Sequence, residues 1–373
     1  MINTETVWEN EELAVFRLRK LYLGRGYSPY KMSKFEEYDL YARNKHFLVS
    51  DNVITFTDTN GKLMALKPDV TLSIVKNGKD VPGEVQKLCY DEKVYRVSKG
   101  TKSFRELTQV GLECIGEVDD YCVGEVLSLA AGSLAEISPD YVLDISDLDL
   151  LGAVLDGMGL SEDAKAELLR CIGEKNPHGM AEIAAREGIA AGALDRLTRL
   201  LAVEGDLADA IPALRRVLPD HGAEIDRLAR VTAALCEGAQ KGRIRLDFSV
   251  VNDMSYYNGI VFKGFINGVP AGVLSGGQYD GLMQKMGRHA KAIGFAVYLD
   301  LLERFGESRT GYDADAVLLY DEGEDPAAVC RAAEKIARGK QRVTVLKKLP
   351  EGLKYKTLYR VKDGEVTLLE TDA

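Results

Sequence analysis

Three dipeptides narrow the possible folds of this chain more than any other feature: Asn60-Gly61, Asn267-Gly268 and Asp363-Gly364. Asn-Gly and Asp-Gly accept the positive φ angles of a tight hairpin, so the runs on either side are antiparallel neighbours. VITFT (53–57) and KLMAL (62–66) flank the first. IVFKGFI (260–266) and PAGVL (270–274) flank the second. Further strands are predicted over 87–97 and 105–116, around the polar loop SKGTKS, and over 140–145 and 243–250. A helix is predicted over 8–24, where Ala14, Val15, Leu18, Leu21 and Tyr22 share a face before Gly24 and Gly26. Others follow after Pro68, which leaves Asp69 near a first turn, and over 121–136. Ser275–Asp280 reads as a Gly-containing turn, and 293–305 as a helix or strand-helix element. This order is an α+β architecture, an antiparallel sheet with flanking helices, and not the βαβ alternation of a doubly wound sheet.

Residues 146–241 change character. Ala, Leu, Arg and Glu dominate, punctuated by Gly188, Gly205 and Gly222, and 160–242 hold 14 acidic against 11 basic residues. This stretch reads as a helical insertion. From 313 the chain reads strand (DAVLLY), helix (326–338), strand (RVTVL) and hairpin, a small α/β unit. The expected domains are therefore a discontinuous core (1–145 and 242–308), the insertion (146–241) and a C-terminal unit (309–373). Two or three domains suit 373 residues at about 150 per domain.

A net charge of −10 argues against a broad nucleic-acid-binding face. The six cysteines form no CxxC and have no His at zinc-site spacing, which fits reduced thiols in a cytoplasmic protein and no metal. The opening MINTETVWENEEL lacks the basic and apolar regions of a signal peptide, and no run approaches the roughly 18 apolar residues of a membrane span.

Chemistry concentrates in a few places. Gln109, Gly111 and Glu113 fall on one face of a predicted strand, and Asp69 sits on an opposing segment of the predicted sheet. Gly between an inward Gln and an inward Glu would leave an open floor beneath a small cationic or amide-bearing ligand. The same alternation fits the outward polar face of a half-exposed strand. Tyr256-Tyr257 precede a glycine and fit either a ligand wall or strand packing. Arg96 and Arg105 flank a loop containing Lys99 and Lys102, which fits an anion site or a solvated basic hairpin. No Ser/His/Asp set, P-loop or GxGxxG is present.

The joint order of LKPDVTL (66–72), FRELTQVGLECIG (104–116), SYYNGIVF (255–262), SGGQYDGL (275–282) and AIGFAVYLDLL (292–302) resembles the core of class II aminoacyl-tRNA synthetases, in the histidyl branch, over roughly residues 8–305. Two families share that core: histidyl-tRNA synthetase and the regulatory subunit of ATP phosphoribosyltransferase. The resemblance implies a histidine pocket. Asp69 and Thr71 match the groups on the substrate amine, Gln109 follows on the next strand, Glu113 matches the imidazole partner, and Tyr256 and Tyr257 match the paired tyrosines. The departures fall on charge. Asn252 stands where the carboxylate-binding Arg would be, Leu301 replaces the Arg of a GFAxGLERL-like motif, and Ser98 replaces the Glu of an FRxE-like motif. Gln278 replaces the Arg of a GGRYD-like loop. Lys67 replaces the Arg before Pro68, as a point charge able to substitute in part.

Losing one preorganised cation of this kind typically costs about 10²–10³ in rate. The resemblance is therefore closer to the regulatory subunit: no catalytic residues, no cofactor, and histidine as regulatory ligand. It further implies the short-form ATP phosphoribosyltransferase catalytic subunit as partner, and a homodimer built around the 8–24 helix inside a hetero-oligomer. The alternatives are an atypical histidyl-tRNA synthetase and a stand-alone histidine-sensing module. The 12 acidic and 11 basic residues of 313–373 argue against a tRNA-binding unit.

Overall fold

The structure, a computed structural model, describes residues 10–44, 53–98, 101–236, 240–251, 256–302, 312–339 and 342–371. The chain forms two compact units, Asn10–Phe305 and a smaller one that takes in Gly306–Ala373.

The larger unit begins with α1 (Asn10–Leu23), β1 (Ser28–Pro29), β2 (Phe35–Glu37), α2 (Tyr38–Arg43), β3 (Thr55–Thr57), β4 (Leu63–Leu66) and α3 (Thr71–Asn77). A long hairpin follows, β5 (Val85–Val97) and β6 (Phe104–Gly116), then α4 (Asp120–Ile137) and β7 (Tyr141–Asp147). The alanine- and leucine-rich stretch folds into α5 (Leu148–Asp156), α6 (Glu162–Gly173), α7 (Pro177–Glu187), α8 (Ala191–Leu201), β8 (Gly205–Asp206), α9 (Leu207–Val217) and α10 (Gly222–Thr232). The chain then returns through β9 (Ile244–Leu246), β10 (Asn258–Ile266), β11 (Leu274–Gln278), α11 (Asp280–Lys285) and β12 (Lys291–Tyr298). Side-chain caps set many helix starts: Asp119 accepts from Cys122 N–H at 2.9 Å, and Asn176 from Gly179 N–H at 2.9 Å with Pro177 at the first helical position.

Nine strands form one sheet in the order β1-β5-β6-β12-β11-β10-β7-β9-β8, antiparallel except where β1 meets β5 and β7 meets β9. Strand alternation gives the sheet two unlike faces. Val110, Leu112 and Cys114 of β6 and Ile293, Phe295 and Val297 of β12 join Leu18 and Tyr22 of α1 and Val126, Ala130 and Leu134 of α4 in a dry core. Leucines of the helical stretch, among them Leu150, Leu168, Leu197 and Leu228, belong to the same apolar cluster. The opposite face of β6 carries Gln109, Gly111 and Glu113. A three-stranded sheet, β2-β4-β3, is built on the first hairpin, with Gly61 at φ 81°.

Two expectations need correction. Ser275–Gln278 is not a turn but most of strand β11, because its glycines allow close packing. A Cβ on Gly276 would lie 2.4 Å from the Gly294 carbonyl oxygen, and one on Gly277 would lie 2.7 Å from Tyr257 Cδ1. The 243–250 run pairs only over Ile244–Leu246, since Asp247 then turns the chain by accepting Ser249 N–H at 2.8 Å. The 293–305 segment is the end of β12 followed by a 3₁₀ turn, Leu299–Leu302.

The smaller unit contains β13 (Ala314–Tyr320), α12 (Pro326–Ala337), β14 (Val343–Leu346), β15 (Tyr355–Lys362) and β16 (Glu365–Thr371), in the order β14-β13-β15-β16. Asp363 and Gly364 turn its hairpin with φ of 51° and 79°.

Leu112 is fully buried between the sheet and its covering helices. Leu112→Ala is expected to lower unfolding stability by about 2–5 kcal/mol in urea titration. A loss below about 1 kcal/mol would contradict this placement of the core.

Candidate functional site

The polar face of the sheet is the floor of a cavity of about 590 Å³, within the roughly 300–1,000 Å³ usual for small-molecule sites. Strand register builds it. Glu113 pairs with Gly294, which pairs with Gly277. One step along, Tyr90, Gly111, Ala296, Ser275 and Lys263 form a row across five strands. A Cβ on Gly294 would lie 1.8 Å from Glu113 Oε2, so only glycine there leaves room for the carboxyl group. A Cβ on Gly111 would lie 2.5 Å from the Tyr90 hydroxyl. The expected open floor at Gly111 is therefore covered by the Tyr90 phenol.

Glu113 is only 2% exposed. Thr71 Oγ1 donates to its Oε1 at 2.8 Å, and the Tyr279 hydroxyl donates to its Oε2 at 2.6 Å. Burial outweighs these hydrogen bonds and pushes its pKa up to about 8, with Asp69 adding a like charge. Burial also drives Tyr90, Tyr256 and Tyr279 well above the usual phenol range, so all three remain protonated donors. The Tyr256 and Tyr257 rings lie 4.4 Å apart, and Tyr256 lies 5.9 Å from Tyr279. Together they form an aromatic wall beside the carboxyl group. Gln109 is buried in the lining.

Asp69 is not on a strand. It lies in the turn between β4 and α3, where Oδ1 accepts Leu72 N–H at 2.9 Å. Burial raises its pKa, opposed by backbone N–H groups and by Arg96. Arg96 Nε donates to the Pro68 carbonyl at 3.1 Å, and Asp300 joins the same end of the lining. Burial raises the pKa of Asp300 too, and its Oδ1 has no hydrogen-bond partner among the described residues.

Asp69, Thr71, Arg96, Gln109, Glu113, Tyr256 and Tyr257 line this cavity, whereas Arg105 is exposed on the hairpin across from Arg96. Two further positions also lie elsewhere. Lys67 is fully buried and bonded to Glu92 at 2.5 Å, so it is no substitute for a phosphate-binding Arg. Gln278 is outside the lining, where its Oε1 accepts Ile260 N–H at 3.0 Å. Leu301 lines the cavity, Ser98 does not, and Asn252 and Lys99 lie outside the described residues. Sequence reasoning missed Tyr90, Lys263, Tyr279 and Tyr298. Cross-strand register would have found Tyr90, Lys263 and Tyr298. Tyr298 stands at the second Gly of the GFAxGLERL-like motif and puts a phenol in the lining.

The pKa of Glu113 sets a pH dependence. Between its ordinary value of 4.5 and about 8, the folded protein holds a proton that the unfolded chain has released. Raising pH through that window therefore favours unfolding. Wild type is expected to lose more stability between pH 5 and about 8 than Glu113→Gln does in parallel denaturant titrations. Parallel curves would contradict a buried, proton-retaining Glu113.

Among the described residues no helix is long and apolar enough to cross a membrane. The chain is similar to curated regulatory subunits of ATP phosphoribosyltransferase. One from Thermoanaerobacter pseudethanolicus is 28% identical over 291 residues, 76% of this chain and 75% of the relative. Among solved structures, an ATP phosphoribosyltransferase regulatory subunit/histidyl-tRNA synthetase from Bacillus halodurans matches with TM-score 0.73 at 24% identity, over 94% of this chain and 93% of that one. A chain of the ATP phosphoribosyl transferase complex from Thermotoga maritima matches with TM-score 0.61 at 19% identity, over 77% and 96%. At these identities the two structures speak for the fold. The family model for histidyl-tRNA synthetase matches residues 4–302. The chain belongs to the histidyl-tRNA synthetase family.

Proposed function

We propose that this protein is a non-catalytic regulatory subunit of ATP phosphoribosyltransferase. It would bind the short-form catalytic subunit, activate it, and convey histidine feedback in the first step of histidine biosynthesis. In that step ATP is joined to phosphoribosyl pyrophosphate. One observation carries the reading: the cavity gathers groups suited to an amine and an imidazole, while two positions expected to carry phosphate-binding arginines offer it no cation. Asp69, Thr71, Gln109 and Glu113 converge there. At the phosphate-handling positions, Leu301 is apolar and Lys67 is locked to Glu92. The names of the curated relatives support the same reading. Histidine in the cavity would bias two states of the assembly by its differential affinity for them. The working form is a cytoplasmic homodimer built around α1, inside a larger hetero-oligomer, with a division into core, helical insertion and C-terminal unit.

Co-expression with a short-form catalytic subunit tests this. The two chains are expected to co-purify, and phosphoribosyl transfer should appear with this chain and fall when histidine is added. A catalytic subunit that elutes alone, with full activity, would sink the proposal. A stand-alone sensor would bind histidine without such a partner.

Retained Arg96 and the family match favour a second reading, an atypical histidyl-tRNA synthetase. With two phosphate-binding cations replaced, at about 10²–10³ each, histidine-dependent pyrophosphate exchange is expected to stay at background. Robust exchange would reverse the assignment.

A further inference from the structure

The helical stretch holds a second cavity, which shares no lining residue with the first. Its volume is about 360 Å³, in the range of small-molecule sites. Most of the lining is apolar. Ile172 of α6 and Met180 of α7 are buried, and Leu194 and Leu201 of α8 are half-buried.

The charged lining is gathered by one side chain. Lys175 Nζ lies 3.0 Å from Glu204 Oε2 and 2.9 Å from Asp247 Oδ2. All three residues line the cavity. Lys175 follows the end of α6 with φ at 50°, the left-handed position that glycine usually takes. A lysine there is disfavoured by its Cβ, and the arm it adds ties the α6–α7 turn to the chain around β8 and β9.

Acid exceeds base in this cluster. Asp144 of β7 belongs to it. Burial raises its pKa to about 6, with Asp247 and Glu204 adding to the rise and Arg245 and Lys175 opposing it. Its Oδ1 is buried and has no hydrogen-bond partner among the described residues, since Arg245 Nε is 3.8 Å away, beyond hydrogen-bond reach. Three carboxylates therefore face two cations, and a buried carboxylate oxygen left without a donor is costly. Among the described residues no set of carboxylates is placed to hold a metal ion.

We propose that this cavity binds a small organic cation, an ammonium or guanidinium group carried on an apolar body. The body fills the space beside Ile172, Met180, Leu194 and Leu201. The charged head joins the Glu204 and Asp247 carboxylates and supplies the positive charge the cluster lacks. An anionic head would meet three like charges. The site stands apart from the histidine pocket, and neither depends on the other.

Ligand-detected NMR titrations of the full chain test this, with phenethylamine, phenethyl alcohol and hydrocinnamate as probes. The three share one apolar body and carry a cation, a neutral hydroxyl and an anion. Wild type is expected to bind the amine about 10-fold more tightly than the alcohol, the lower range of a charge-assisted hydrogen bond, and the anion least. Glu204→Gln should weaken the amine and leave the alcohol unchanged, which also reports that the variant is folded. Lys175→Met should do the reverse and tighten the amine several-fold, because it frees both carboxylates. A purely structural salt bridge would not give these opposite signs. Ala181→Phe, at an exposed lining position, should block all three probes with the circular dichroism spectrum kept. Equal binding of the three probes by wild type, or no binding of the amine, overturns the proposal. So does an amine preference that survives in Glu204→Gln or amine binding unchanged in Ala181→Phe, which would place the amine elsewhere.

Discussion

A carboxyl group lies in the middle of a nine-stranded sheet, and much of the surrounding chain accommodates it. Leaving Glu113 unsolvated and unpaired would cost several kcal/mol. Two hydroxyls from distant parts of the sequence reduce that cost, Thr71 at the start of α3 and Tyr279 just after β11. Gly294 on the neighbouring strand gives up its side chain so that the carboxyl group fits. The remaining desolvation appears as a raised pKa, so a proton or a cationic ligand completes the site. The other face of β6 has a simpler task. Val110, Leu112 and Cys114 pack against the helices, and that dry contact fixes the register on which the polar face depends.

The fold was largely legible because hairpin dipeptides and alternation are local signals. Asn60-Gly61, Asn267-Gly268 and Asp363-Gly364 all lie at turns, and the Gln109, Gly111, Glu113 face follows from period two alone. The failures share a cause. Ser275-Gly276-Gly277 looks like a loop because glycine is the usual sign of one. Here the glycines are strand residues that yield space to Phe295 and Tyr257, which lie far away in sequence or on another strand. Tyr90 and Lys263 went unnoticed for the related reason that they enter the cavity through cross-strand pairing. Asp69 does not sit on a sheet segment but just ahead of a helix, where the position after Pro68 also put it. It is a turn residue that reaches the cavity by bonding the first backbone N–H groups of α3.

The charged positions follow the same logic of local against distant information. Lys67 and Gln278 read as weakened versions of ligand-binding arginines. In the fold both are structural. Lys67 neutralises Glu92 in the interior, and Gln278 satisfies the Ile260 N–H near a strand irregularity of β10. A substitution that removes a ligand contact thus leaves behind a side chain with a different role. Reverting such a position changes packing as well as charge.

Because both oxygens of Glu113 already hold hydroxyls, a ligand enters by exchanging or sharing hydrogen bonds rather than by meeting an empty acceptor. An exchange of this kind favours specificity over raw affinity, since an analogue without the matching N–H leaves a buried polar group unpaired. It also gives binding a mechanical consequence. Thr71 is the first residue of α3, and two other residues of that helix, Ser73 and Lys76, each hold Glu36 of β2 at 2.8 Å. A ligand that draws Thr71 away from Glu113 therefore acts on a helix anchored at one end in the cavity and bonded along its length to the small sheet. The same hydroxyl that makes the carboxyl group tolerable in the interior connects the site to the rest of the unit.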